Sequence, residues 1–340
     1  MPEPVVAPVS ARRPLAPGHV GRTAAVLSVA AELPEGRLTT SELAERFGLT
    51  EEWIMSRTGI RERRRAGEHE RLSDYATRAG GAALARAGVP AAELDLVIVA
   101  TMTQDELTPN TAPIVAHALG ARRAGAFDVG AACTAFLTGL AVGASQIESG
   151  RADLVLLIGA DFVTRITDYE DRRSAPLFAD GTGAVVLGVE AQGGDRGAIG
   201  PIVLGADGAH ADSIIATHEE RKLRLDGPEV FRNAVARMRE VTEEAVAAAG
   251  LELDDIDLFV YHQANARITK ALGERLGLPT ERVVDCIETL GNSSAATLPV
   301  ALAVAEQDGR LRAGTRVLLS AFGAGFTWGG GVIEWGGCDG

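Results

Sequence analysis

The chain has 340 residues, 46% of them hydrophobic but only 4% aromatic, with 40 glycines and a formal net charge of −13. That length buries a sizeable core as one large domain or two fused halves, and the composition favours a tightly packed α/β protein. Three cysteines at unrelated spacings, no uninterrupted apolar span and no Lys/Arg block exclude a disulfide framework, a bilayer crossing and a nucleic-acid footprint. They also argue against a zinc site, and a reduced, cytoplasmic setting follows.

Residues 1–21 carry several prolines and no clear period, which reads as a flexible N-terminal extension. Thr23–Ala30 has the apolar run of a first buried strand. Ser41–Phe47 reads as a helix capped by Thr40 or Ser41, and Thr50 caps a second one with Glu51 and Glu52 in its first turn. Trp53 and Arg57 stand four apart, on one helical face. They make either a stacked surface pair or a platform for a planar, phosphorylated ligand.

An internal repeat follows. Leu84–Val99 matches Val246–Tyr261 through helix end, glycine, loop and strand, and Leu154–Leu157 matches Arg316–Leu319 in the same register. Each half alternates apolar strands with helices, so the fold class is α/β, two duplicated halves whose central sheets are covered by helices. The halves are 22–192 and 193–340, joined near Gln192 to Gly200. Strand ends within them, and the interface between them, are natural places for a site.

The stretch Ala126–Phe136 runs from an apolar strand through Gly130-Ala131-Ala132 into Cys133, where a helix from Thr134 to Ile147 begins, stopped at Gly150. A cysteine there lies near the positive end of the helix dipole, which predicts a thiol pKa below about 8.5; the alternative is a buried structural cysteine. His262 directly follows the strand Phe259–Tyr261, where it suits either a proton shuttle or a satisfied core histidine. Asn292 sits in the small-residue turn Gly291–Ala296 and could be a cap alone. The glycine-rich turn Ser320–Gly329 could present backbone N–H groups to an anion or merely connect two strands.

Cys133, His262 and Asn292 form a Cys/His/Asn set whose convergence spacing cannot show. The chain resembles the β-ketoacyl-acyl-carrier-protein synthase III family of thiolase-fold ketosynthases. The resemblance runs from about Arg22 to Trp335. It rests on Glu52-Trp53-Ile54, Arg57–Arg63, Ala131-Ala132-Cys133, Phe178–Ala184, His262–Asn265, Gly291–Ala296 and Phe322–Trp328. It implies that Cys133 takes an acyl group from an acyl-CoA primer as a thioester, and that a decarboxylative condensation with malonyl-acyl carrier protein, or malonyl-CoA, then gives a β-ketoacyl product, CoA and CO2. In that reading His262 and Asn292 donate hydrogen bonds to the malonyl thioester carbonyl, the backbone N–H groups of Cys133 and Ala324 hold the oxyanion, and Phe322 shields the thiol. Trp53 and Arg172 flank the adenine of CoA, with Arg57, Asn265 and Arg267 at the tunnel mouth. Arg267, Lys270 and Arg275 offer a basic patch to carrier protein, interrupted by Glu274. The resemblance also implies a homodimer in which Thr108 shapes the partner subunit's acyl pocket, and no permanently bound cofactor or metal.

The chain departs from the family pattern at Thr134-Ala135, at Ala324 within a glycine run, at Arg173 beside Arg172, and at Thr108, where some relatives carry phenylalanine. The smaller Thr108 predicts primers longer than acetyl. Rival readings are an acyltransferase of the same fold acting on a hydroxyl or amine, which Asn292 disfavours, a hydrolase, and a non-catalytic partner subunit that binds carrier protein.

Overall fold

The computed structural model describes residues 21–190 and 197–336. The expected N-terminal extension lies outside them except for Gly21, as does most of the expected join.

Among the described residues, nine main strands form two sheets. In the first half these are β1 (Ala24–Glu32), β2 (Leu96–Ala100), β3 (Gly125–Val129), β4 (Leu154–Phe162) and β5 (Asp180–Val189), ordered β1-β5-β4-β2-β3. In the second they are β6 (Ile199–Ala206), β7 (Leu258–Tyr261), β8 (Arg316–Gly323) and β9 (Thr327–Glu334), ordered β7-β8-β9-β6. In each sheet the parallel pair carries the repeat: β2 beside β4, and β7 beside β8. Antiparallel partners follow outward, β5 and β1 in one sheet, β9 and β6 in the other. The counterpart of β3 is reduced to a single parallel bridge between Phe259 and Val283. β4 is apolar and buried almost throughout, as expected of a strand covered on both faces.

Helices α1 (Thr40–Phe47), α2 (Glu51–Thr58), α3 (Leu72–Ala87), α4 (Thr111–Leu119), α5 (Ala135–Glu148), α6 (Gly227–Ala248), α7 (Ala266–Leu276) and α8 (Thr297–Gln307) complete the layers. α5 and α8 share a core with the inner faces of both sheets. α3 and α4 cover the outer face of the first sheet, α6 and α7 that of the second. Glycines permit the central packing. A Cβ on Gly183 would lie 2.8 Å from Pro299, and one on Gly159 would lie 2.5 Å from the Ala295 carbonyl oxygen.

Two local expectations are corrected. α1 begins at Thr40 but its cap is Thr39, which accepts from Glu42 N and pairs reciprocally with the Glu42 side chain. Thr40 is not free to cap, because its hydroxyl is held between the Ile60 carbonyl and buried Arg63. Thr50 does cap α2, accepting from Trp53 N at 3.2 Å. The segment after Cys133 is not helical from Thr134: a 3₁₀ turn, Ala132–Thr134, comes first and α5 starts at Ala135.

Candidate active site

The nucleophile turn and the asparagine turn are the same device used twice. Ala132 (φ 47°) and Ser294 (φ 53°) occupy equivalent places in the repeat, each opening a 3₁₀ turn before a central helix. Left-handed backbone at a non-glycine residue is costly and persists only where the surroundings impose it. Here the two turns pack together between the sheets. Ser294 Oγ donates to Cys133 Sγ at 3.5 Å, so the asparagine turn touches the nucleophile directly.

Cys133, His262 and Asn292 all line one cavity of about 1170 Å³, together with Phe322 and Ala324. Asn292 Oδ1 accepts from Ser294 N at 2.9 Å. That bond orients the amide so that its NH2 is left to donate. His262 follows β7, its N–H donates to Ser320 O at 2.7 Å, and the residue is 2% exposed. Burial pushes the imidazole pKa down to about 3, so the ring is neutral. The thiol moves opposite to expectation. Burial, with the buried charge of Asp161 adding to it and the Ser294 hydrogen bond opposing, pushes Cys133 up to about 12. Desolvation of the thiolate outweighs whatever the start of α5 contributes.

Asp161 was not singled out in the sequence. Its carboxylate is fully buried and accepts from Thr101 Oγ1, Met102 N, Thr103 Oγ1 and Ala295 N at 2.8–3.1 Å. It ties the end of β2 to the asparagine turn. In the repeat its counterpart is Gly323, where a Cβ would lie 2.9 Å from Cys133 N. A glycine there lets the turn after β8 close onto the nucleophile. Ala324 keeps an ordinary backbone, since Gly325 takes the positive φ of 134°. Thr134, where the family pattern has alanine, lies 2.7 Å from Ala131 O and 2.9 Å from Thr327 Oγ1; the Thr327 hydroxyl reaches Ala324 O at 3.1 Å. Phe322 is 4% exposed and packs on Phe326 with ring centroids 4.7 Å apart.

Trp53, Arg57, Arg172, Asn265 and Arg267 line the same cavity, and so does Arg173. Arg57 stacks on Trp53, its guanidinium carbon 4.0 Å from the ring centroid. Asn265 caps α7 through Arg267 N and donates to the Arg57 carbonyl at 2.9 Å, fastening α2 to α7. Thr108 is exposed, beside a cis bond to Pro109, and is not brought to this chain's own cavity. Lys270 and Arg275 are exposed on α7 and do not line it. Sequence reasoning missed the apolar wall, where Met102, Phe178, Ile214, Leu223 and Leu225 meet. Phe178 was within a quoted motif, but Met102 and Leu223 lie outside the strands, and Ile214 and Leu225 pair in a two-residue ladder too short to carry a periodic signal.

A duplicated five-layer α/β fold with a cysteine, a histidine and an asparagine on one cavity defines a thiolase-like acyl-transferring enzyme. Family models for 3-oxoacyl-[acyl-carrier-protein (ACP)] synthase III match residues 127–218, and for its C-terminal part residues 246–335. The chain is 44% identical over 320 residues to the β-ketoacyl-[acyl-carrier-protein] synthase III of Rhizorhabdus wittichii, covering 92% of this chain and 100% of that one. The crystal structure of 3-oxoacyl-(acyl carrier protein) synthase III from Pseudomonas aeruginosa PAO1 superposes with a TM-score of 0.89 at 40% identity, covering 93% of this chain and 99% of that one. The priming β-ketosynthase of the R1128 polyketide biosynthetic pathway gives 0.88 at 37% identity, with 93% and 97% covered. The chain belongs to the β-ketoacyl-acyl-carrier-protein synthase III family and has its thiolase-like fold.

Proposed function

We propose that the chain starts an acyl chain by joining an acyl-CoA primer to malonyl-acyl carrier protein with loss of CO2, and that Cys133, His262 and Asn292 carry the reaction. The observation that carries this assignment is their convergence on one cavity whose mouth is lined by Trp53, Arg57, Arg172, Asn265 and Arg267. Cys133 attacks the primer thioester, and the acyl group stays on sulfur as CoA leaves. Backbone N–H groups of Cys133 and Ala324 hold the oxyanion, supported by the fit of Gly323 against the nucleophile turn. His262 and the NH2 of Asn292 then polarise the malonyl thioester carbonyl as CO2 departs, and the carbanion attacks the acyl-cysteine. Phe322 keeps water from the sulfur. Acyl-CoA enters as substrate, and we assign no resident cofactor.

Arg267, Lys270 and Arg275 on α7 are assigned to carrier-protein docking beside that mouth. Division into halves at 22–192 and 193–340 is supported by the two sheets. A two-fold homodimer is supported by β3, an edge strand with Phe127 36% exposed, and by the neighbouring loop with Leu107 77% exposed. Across such an interface Thr108 reaches the partner's acyl pocket.

Incubation with acetyl-, butyryl- and octanoyl-CoA followed by intact-protein mass spectrometry tests the priming step. The predicted adducts include octanoyl and vanish in Cys133→Ala. Acylation by acetyl-CoA alone would sink the pocket assignment, and acylation of Cys133→Ala would sink the nucleophile.

A further inference from the structure

The imidazole of His262 has one nitrogen engaged and one open. Nδ1 lies 2.6 Å from Thr297 Oγ1. Nε2 is buried and has no hydrogen-bond partner among the described residues, although the ring lines the cavity. The same Thr297 hydroxyl lies 2.9 Å from the Ser294 carbonyl oxygen. A hydroxyl has one proton to donate, and a carbonyl oxygen only accepts. Both contacts are therefore hydrogen bonds in one arrangement alone: Thr297 donates to Ser294 O and accepts from Nδ1–H of His262. Turning the proton toward Nδ1 would leave two oxygens facing each other at 2.9 Å with no proton between them. Ser294 O also accepts from Thr297 N, which its second lone pair accommodates. Thr297 has little freedom to escape, being 5% exposed at the first position of α8.

We propose that Thr297 is a positioning residue that fixes the resting tautomer of His262 as Nδ1–H, so that Nε2 offers a lone pair to the cavity and takes the Cys133 proton during priming. The inference deepens the condensing reaction assigned above and rests on it for its chemistry. The thiol does not ionise on its own, because burial opposes the thiolate. As sulfur bonds to the primer carbonyl carbon, the thiol proton passes to Nε2. The bond from that carbon to the CoA sulfur breaks, and CoA leaves as a thiolate that solvent protonates. The ring then carries both protons, a cation that burial disfavours in the free enzyme and that the carboxylate of the entering malonyl group offsets. Nε2–H is the donor that the malonyl thioester carbonyl requires, while Thr297 continues to accept from Nδ1–H. Loss of CO2 leaves the carbanion, which bonds to the acyl carbon and expels the Cys133 sulfur. That sulfur recovers its proton from Nε2. One solvent proton is consumed per turnover, on CoA, and His262 returns to its starting tautomer.

Nitrogen-15 spectra of the full chain labelled only in its six histidines read the tautomer directly, with His262→Gln identifying the resonance pair. At neutral pH the resting enzyme should show a protonated Nδ1 and an unprotonated Nε2. Thr297→Val should lose that pattern and slow Cys133 acylation about a hundredfold, the scale of a general base. Thr297→Ser, which keeps the hydroxyl, should restore both. A resting wild-type enzyme with Nε2–H overturns the proposal, even if Thr297→Val fails to fold. So does a Thr297→Val enzyme with the wild-type tautomer and acylation rate. A chain that no acyl-CoA acylates would refute the condensing reaction, while the tautomer would still be read.

Discussion

Cys133 must react through sulfur that burial holds in the thiol form. An exposed helix start would make the thiolate available near neutral pH. Burial instead pushes the pKa up to about 12, so the thiolate fraction at neutral pH is small and rises about tenfold per pH unit until that range is reached. Iodoacetamide inactivation of the substrate-free enzyme should therefore accelerate continuously from about pH 6 to pH 9. A plateau near neutral pH would show a depressed thiol and remove the need for a proton acceptor. Gly323→Ala belongs to the same scale. Its Cβ would sit 2.9 Å from Cys133 N, so the nucleophile turn must shift. Acylation should fall about a hundredfold, the cost of an ångström of misplacement, and a wild-type single-turnover rate would contradict the close approach.

Among the elements, the wall between α2 and the asparagine turn depends on Arg63. The side chain is fully buried, and burial lowers its pKa to about 10. It donates to Pro176 O from Nε and Nη2, to Ile60 O from Nη2, and to Thr40 Oγ1 from Nη1. Every acceptor is a carbonyl or a hydroxyl, with no carboxylate among them. Pro176 and Leu177 line the cavity, and Leu177 O accepts from Asn292 N at 3.0 Å. Arg63→Met should cost about 3 kcal/mol in denaturant unfolding, since buried carbonyls lose a charged donor, and should raise the KM for acyl-CoA. Unchanged stability would mean that the carbonyls find other donors. The sequence pattern marked this element incompletely. Adjacent threonines at 39 and 40 are equally good caps by type, and two things decide between them: Glu42 completes a capping box with Thr39 alone, and Arg63 engages Thr40. Ser294 and Asp161 act through contacts between the halves, and Thr297 through its contact with His262 within the second half, none of which spacing along the chain encodes. The repeat was legible because it is written in apolar periodicity and glycine stops.

At the scale of the whole molecule, a net charge of −13 means that the carrier-protein docking proposed for α7 must work through a local basic patch. Lys270→Glu with Arg275→Glu should raise the KM for malonyl-carrier protein several-fold and leave acylation by acyl-CoA unchanged. An equal loss with malonyl-CoA as extender would mean that α7 was distorted instead. For the proposed dimer, Phe127→Arg on the edge strand β3 should shift sedimentation from dimer to monomer; an unchanged dimer would move the interface elsewhere, and a monomeric wild type would refute the dimer. The central claim, that one cavity runs both steps with different groups, is tested most directly by single-turnover discharge of pre-acylated enzyme. Asn292→Ala, fully acylated on Cys133, should release CO2 from malonyl-carrier protein on the order of a hundredfold to a thousandfold more slowly than wild type, the effect of losing one oxyanion donor. Discharge at the wild-type rate would contradict the account.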